Sequence, residues 1–283
     1  MTTDAGTTVY EAALRHVAAR AAGGPLAPGT RVTAHFHPDR LLPGGTPVLA
    51  AMAEDGVYLS QFVTGTGNGG LTAHPGGDRW RWESRIFGGV YDAVEAAHRP
   101  VYGALNHRHD PRGAAPRFGS SYFRLTAAAL RRATFCYPDS AAEPTDFGVA
   151  DHCSALVGLA EADRDADALD DYVEAHVHGP VRFDRDVEAL VLDPCYRSTP
   201  VEDAARALPC PVEWHPGFVL DVDELRRRRD YRGPEFVELG VRIAVDGRID
   251  PAVVGAAART GEHDPQALKK VWHLLARFGR RPA

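Results

Sequence analysis

Lysine is almost missing from this chain. Only Lys269 and Lys270 stand among its 32 basic residues, and all the others are arginine. Cysteine is scarce too: Cys136, Cys153, Cys195 and Cys210 form no CxxC pair. That spacing argues against a structural zinc site and favours reduced thiols over a disulfide framework. No apolar run approaches the roughly 18 residues that a membrane span needs. Met1–Gly23 has neither an apolar signal core nor a cleavage pattern, so the expected location is the cytoplasm, or outside the cell by a signal-free route. The net charge of −6 leaves no electrostatic footprint for nucleic acid, although a local basic patch is compatible with it. Several motifs are absent as well. Without GxSxG there is little support for serine hydrolase chemistry, and no HExxH or GxGxxG occurs. GTGNGG at 65–70 looks like a phosphate loop but has no lysine and no clear following helix.

What remains is ordinary for a globular protein. The 283 residues are 44% hydrophobic and 25% charged, enough for one large domain or two small ones with a sizeable core. Apolar residues four apart predict a helix over 7–22, stopped by Gly23-Gly24. Alternation predicts strands over 31–37, 101–106, 118–125, 133–137, 171–183 and 187–192, with short ones at 212–215 and 218–220. Helices are expected over 48–54, 82–98, 154–162, 222–229, 251–260 and 266–278. Strands come in runs rather than alternating with helices. The predicted class is therefore α+β, with mixed or antiparallel sheets and flanking helices.

The most unusual stretch is Asp55 to Asp92. It is rich in glycine yet carries Tyr58, Thr64, Thr66, Asn68, Arg79, Trp80, Trp82 and Glu83. Glycine lets a ligand approach the backbone closely, and aromatic faces stack on rings. Two other features bear chemistry. His35 and His37 lie two apart on a strand, a spacing repeated by His176 and His178, and His215 follows in EWHPG. Their imidazoles suit a metal, or simply hydrogen bonds at strand ends. Glu174 sits between valines on the strand over 171–183, where a carboxylate has to be paired, functional or on a solvated face. Arg226–Arg229 reads as a helix end whose cations complement the dipole.

Taken together, HFHPDR, GVYLSQFVTGTGNGG, WESRIFGGVYD, RPVYGALN, APRFGSSYFRL, YVEAHVHGPV and EWHPGF resemble the bacterial DUF3626 family, over roughly 30–255. A weaker similarity links the order of these segments to ADP-ribosyltransferases. Those enzymes place a His or Arg on an early strand, then an aromatic or hydroxyl element, then a Glu on a later strand. That resemblance implies an ADP-ribosyltransferase-like core over 31–195, preceded by a helix and linker over 1–30 and followed by a C-terminal extension over 196–283. It also implies NAD as substrate and an unknown macromolecular acceptor. Glu174, His37 and Tyr58 would act in catalysis, and His35, Arg40, Thr64, Thr66, Asn68 and Arg79 would hold the dinucleotide. No resident metal, membrane or nucleic acid is expected on this reading. Two competitors stand beside it: a metal-dependent hydrolase using His35, His37, His176, His178 and His215, and a non-catalytic ligand-binding protein.

Overall fold

The structure is a computed structural model that describes residues 4–65 and 71–280. Thr66 and Asn68 lie outside the described residues. The strands are β1 (Val32–Phe36), β2 (Val57–Tyr58), β3 (Val101–Leu105), β4 (Ser121–Leu125), β5 (Ala133–Tyr137), β6 (Asp146–Val149), β7 (Glu174–Val177), β8 (Val181–Arg182), β9 (Val187–Leu192), β10 (Val212–Trp214), β11 (Leu220–Asp221) and β12 (Arg248–Ile249). The helices are α1 (Asp4–Ala18), α2 (Val48–Asp55), α3 (Gln61–Thr64), α4 (Asp78–Phe87), α5 (Ala127–Arg131), α6 (Ser154–Ala162), α7 (Pro200–Arg206), α8 (Val222–Arg226), α9 (Pro234–Ile243), α10 (Pro251–Thr260) and α11 (Pro265–Phe278).

Eight strands share one mixed sheet in the order β10-β9-β4-β1-β3-β7-β5-β6. The β1–β3, β3–β7, β7–β5 and β5–β6 pairs are antiparallel, and β9–β10 is parallel. The α+β class therefore holds. Among the described residues no helix is long and apolar enough to cross a membrane. Several boundaries differ from expectation. The strand expected over 171–183 is two pieces, because Gly179 takes φ 79° ahead of Pro180, and the second piece pairs with β2. The helix expected over 82–98 starts earlier, where the Thr72 hydroxyl accepts the Asp78 amide at 2.9 Å. It ends at Gly88 in the left-handed region.

The chain forms two compact units. The first takes the chain up to Ala34, then Gly56–Ala115 and Phe123–Glu188. In its core α1 and α4 bring Ala13, Val17, Trp82, Ile86 and Phe87 together with Tyr91, Cys136, Phe147 and Val149. The second takes His35–Asp55, Pro116–Tyr122 and the chain from Ala189 onward. Its helices carry clear start signals. Asp250 and Asp264 cap α10 and α11, accepting the amides of Val253 and Ala267 at 2.9 Å, and Pro251 and Pro265 take the first helical position. Trp272 of α11 is buried against Phe218, with ring centroids 5.4 Å apart, and its indole N–H reaches the Pro116 carbonyl at 2.9 Å.

Candidate functional site

In the first unit, the strand register assembles a buried polar cluster. Glu174 stands between Ala104 of β3 and Cys136 of β5, and His176 between Tyr102 and Thr134. Direct cross-strand partners share a face, so Glu174, His176, Cys136, Thr134 and Tyr102 all point the same way. α4 adds Arg79, Trp82 and Glu83 to this group. Glu174 accepts hydrogen bonds from Ser140 Oγ at 3.1 Å and from His176 Nε2 at 3.0 Å. Thr134 Oγ1 then links His176 Nδ1 to His178 Nε2, each at 3.1 Å, and His178 Nδ1 meets the Tyr91 hydroxyl at 2.7 Å. Glu83 has no exposure. It pairs with Arg99 at 2.6 Å and accepts the Tyr102 hydroxyl at 3.0 Å. The Arg79 guanidinium lies 3.9 Å over the Tyr102 ring, and its Nε and Nη1 have no hydrogen-bond partner among the described residues.

The electrostatics separate the two carboxylates. Burial pushes Glu174 up, but His176, Arg79 and Ser140 outweigh it and hold the group below the usual carboxylate range. Burial pushes Glu83 up to about 7 against Arg99, Tyr102 and Arg79. Burial also drives His178 down to about 3, with His176 and Arg132 adding to it. The Cys136 thiol is raised well above its ordinary value by burial and then by Glu174. Among the described residues, one group has metal-ligand proximity: Cys136, Glu174 and His176 offer ligand atoms within 4.8 Å of one another. Sulfur, carboxylate and imidazole suit zinc.

The structure thus brings together two of the predicted site residues, Glu174 and Arg79. Tyr58 lies on β2, its ring edge-on to Phe123 with centroids 5.8 Å apart, and Thr64 ends α3 with its hydroxyl on the Ser60 carbonyl at 3.4 Å. His35, His37 and Arg40 belong to the second unit. There His35 Nδ1 meets the Gly119 carbonyl at 3.1 Å. His37 sits edge-on to Trp272 at 5.0 Å and is driven to about 3 by loss of water, then by Arg40 and His35. The five histidines of the hydrolase reading are divided between the units. His215 uses both ring nitrogens locally: Nε2 donates to the Ser120 carbonyl at 2.7 Å and Nδ1 accepts the Gly217 amide at 3.0 Å.

Sequence reading missed a second carboxylate. Glu188, on β9, receives Arg31 Nε on Oε1 at 2.7 Å and Arg124 Nε on Oε2 at 3.2 Å. Arg31 immediately precedes β1 and Arg124 lies on β4, and the sheet order places β4 between β1 and β9. All three side chains keep 26–30% of their surface open to water. No local pattern marks this group, because its members are more than 60 residues apart in sequence.

No curated protein matches the chain. The family model described as a protein of unknown function, DUF3626, matches residues 31–162 and 158–278. The matched span includes Arg31, Glu83, Arg124, Glu174 and Glu188, and the chain belongs to DUF3626.

Proposed function

We propose that the chain is an ADP-ribosyltransferase-like enzyme that cleaves NAD at the nicotinamide–ribose bond and passes ADP-ribose to a macromolecular acceptor. The observation that carries this reading is the Arg31–Glu188–Arg124 group: a carboxylate held between two guanidinium groups and open to solvent. Between Glu174 and Glu188, Glu188 is the one that a substrate reaches, since Glu174 is enclosed. Guanidinium forks match phosphate oxygens. An NAD diphosphate competes with Glu188 for Arg31 and Arg124, and in doing so releases the carboxylate toward the ribose. As the C1′–N bond breaks, nicotinamide leaves neutral with the bonding electron pair. Positive charge develops on the ribose, where the fixed carboxylate stabilises it. The acceptor nucleophile then bonds to C1′ and gives up its proton to solvent or to Glu188.

The test is nicotinamide release from NAD by the full chain, with and without cell lysate. Glu188→Gln is expected to lower kcat by about 10²-fold or more. Arg31→Lys is expected to raise KM, because a point charge replaces a fork. Glu174→Gln, if folded by circular dichroism, is expected to retain turnover. Absence of both NAD binding and nicotinamide release, or release indifferent to Glu188, would sink the reading.

Cys136, Glu174 and His176 favour a second reading, metal-dependent hydrolysis. It requires zinc or manganese to copurify at one equivalent and to be lost in Cys136→Ser.

A further inference from the structure

Glu174 faces Cys136 directly across the β5–β7 pair, and His176 stands two residues further along β7. One face of the sheet thus presents a thiol, a carboxylate and an imidazole, with ligand atoms within 4.8 Å of one another. Two edges of this triangle are narrower: His176 Nε2 lies 3.0 Å and Cys136 Sγ 4.0 Å from Glu174 Oε1. Around a tetrahedral zinc ion, with bonds of about 2.0–2.3 Å, ligand atoms stand about 3.3–3.7 Å apart, so side-chain movements of about 1 Å convert the group into a ligand set. Sulfur and imidazole select a zinc-class ion over magnesium or calcium. A second observation points to the same place. Arg79 Nε and Nη1 and Trp82 Nε1, all on α4, have no hydrogen-bond partner among the described residues, although Arg79 is 4% exposed and Trp82 3%. The Arg79 charge acts on both Glu174 and Cys136, and the Trp82 and His176 ring centroids are 6.3 Å apart. Three protein ligands leave the fourth tetrahedral position to water, whose oxygen is an acceptor of the kind these buried donors lack.

The hydrogen bonds behind the ligands have a direction. A carboxylate only accepts, so the His176 Nε2 that meets Glu174 carries the proton of a neutral ring, and its Nδ1 is a bare acceptor. Thr134 Oγ1 donates to that Nδ1 at 3.1 Å. A hydroxyl has one hydrogen, so the bond on its other side, also 3.1 Å, comes from His178 Nε2–H. His178 Nδ1 is then the acceptor of the Tyr91 hydroxyl at 2.7 Å. A metal on His176 Nε2 needs the lone pair where that proton sits. The proton of the ring then has to be on Nδ1, which donates to Thr134, and a ligating histidine ordinarily has such a partner for its second nitrogen. Thr134 turns its hydrogen toward His178 Nε2, and the His178 proton moves to Nδ1.

We infer that Cys136, Glu174 and His176 bind a divalent ion of the zinc class, and that its arrival reverses the hydrogen bonds running from His176 through Thr134 to His178. The bonds formed are metal–sulfur, metal–oxygen and metal–nitrogen. One proton, that of the Cys136 thiol, leaves to solvent, and both histidines keep their proton count and change only its position. Thiolate and carboxylate cancel the charge of the ion, and a hydroxide in the fourth position keeps one negative charge opposite Arg79. The switch rests on the same metal occupancy as the hydrolytic reading, but it needs no hydrolysis and is independent of Glu188.

The experiment uses the full chain, stripped with a chelator and titrated with zinc alone, at about pH 8, above the ordinary histidine range. Chelator competition measures affinity. Nitrogen-15 shifts of labelled histidine report which ring nitrogen carries the proton, and the His178 signals are assigned by their loss in His178→Gln. Zinc is expected to bind at one equivalent and to move the His178 proton from Nε2 to Nδ1, although His178 is not a ligand. Thr134→Val leaves all three ligands in place, and is expected to weaken zinc binding by about 10–100-fold and to leave the His178 tautomer indifferent to zinc. Thr134→Ser, which keeps the hydroxyl, is expected to restore both. A proton switch without hydrolysis by the loaded chain would support the inference and count against the hydrolytic reading alone. Zinc bound with the His178 tautomer unchanged would overturn the inference and leave the hydrolytic reading standing. Absence of zinc binding, or a Thr134→Val chain that binds and switches as the parent does, would also overturn it.

Discussion

Replacing Arg99 by methionine removes the charge partner of a carboxylate that has no access to water. Glu83 is 0% exposed and Arg99 4%, with Nη1 2.6 Å from Oε2, and Arg99 Nη2 also donates to the Tyr91 carbonyl at 2.8 Å. Stranding one member of such a pair costs about 3–5 kcal/mol while the other stays charged. Against a total stability of about 5–15 kcal/mol this is a large fraction. The pH dependence identifies the cause. Burial holds Glu83 at about 7, above its ordinary 4.5, so the folded chain binds a proton that the unfolded chain does not between those values. Stability from this group is fully present below the unfolded value and is lost as pH rises through the folded one. Without Arg99 the carboxyl titrates higher still. Lowering the pH from about 8.5 to about 5.5 therefore neutralises Glu83 in the variant and shrinks its penalty, by up to about 1.4 kcal/mol per pH unit. Urea unfolding followed by tryptophan fluorescence at both pH values measures this directly. A penalty below about 1 kcal/mol at the higher pH, or one equal at both, would refute the argument.

Three further outcomes are expected. His178 is neutral in the fold and driven to about 3, so its contribution is present above 6.5 and lost as pH falls from 6.5 toward 3, at about 1.4 kcal/mol per unit. Glu83 works in the opposite sense between 7 and 4.5, which places the steepest fall below 4.5. Urea midpoints across that range should flatten in His178→Gln, and an unchanged slope counts against the assignment. A disulfide reagent should label Cys195 and Cys210 of the native protein before Cys136 and Cys153, which are fully buried, and all four after denaturation. Equal labelling rates for Cys136 and Cys210 would be the contrary result. Gly119→Ala places a methyl 2.1 Å from the Phe36 carbonyl oxygen, a backbone atom that cannot swing aside, and should cost about 3 kcal/mol or more. Gly158→Ala, exposed on α6 with nothing within 4 Å, should stabilise by about 0.5–1 kcal/mol. Thermal melts of the two variants make the comparison.

Sequence reading reached what depends on neighbours along the chain. Alternation over 174–178 correctly set Glu174, His176 and His178 on one face, and it named pairing as one fate for that carboxylate. The structure shows this fate: the face is buried and Glu174 is paired with His176 two residues on. Its other partners, Ser140, Cys136 and Arg79, come from segments whose approach depends on strand order, which no local periodicity encodes. The same reason hides Glu188, whose partner Arg31 is 157 residues away. α9 escaped notice because the segment after Tyr231 opens with Arg-Gly-Pro and reads as a turn. Gly233 is that turn, and Pro234 then occupies the first position of a helix. β6 was hidden in turn-like Pro-Thr-Asp residues, and its four residues are defined by pairing with β5. Lys269 and Lys270 were visible only as a compositional oddity.

The two units are interleaved along the chain, with boundaries after Ala34, Asp55, Ala115, Tyr122 and Glu188. This arrangement bears on synthesis. Once the ribosome has extended far enough past Glu188 for its exit tunnel to clear that residue, every segment of the first unit has emerged, and it can close around the Glu174 cluster while translation continues. The second unit cannot. His35–Asp55 and Pro116–Tyr122 must wait for the long C-terminal stretch, where α11 and Trp272 arrive last. A stop codon after residue 188 should leave one unit complete and two orphaned strips of the other exposed to proteases. Neither unit can be cut out as one continuous fragment, and a gene fusion that exchanges either has to splice it at several points at once.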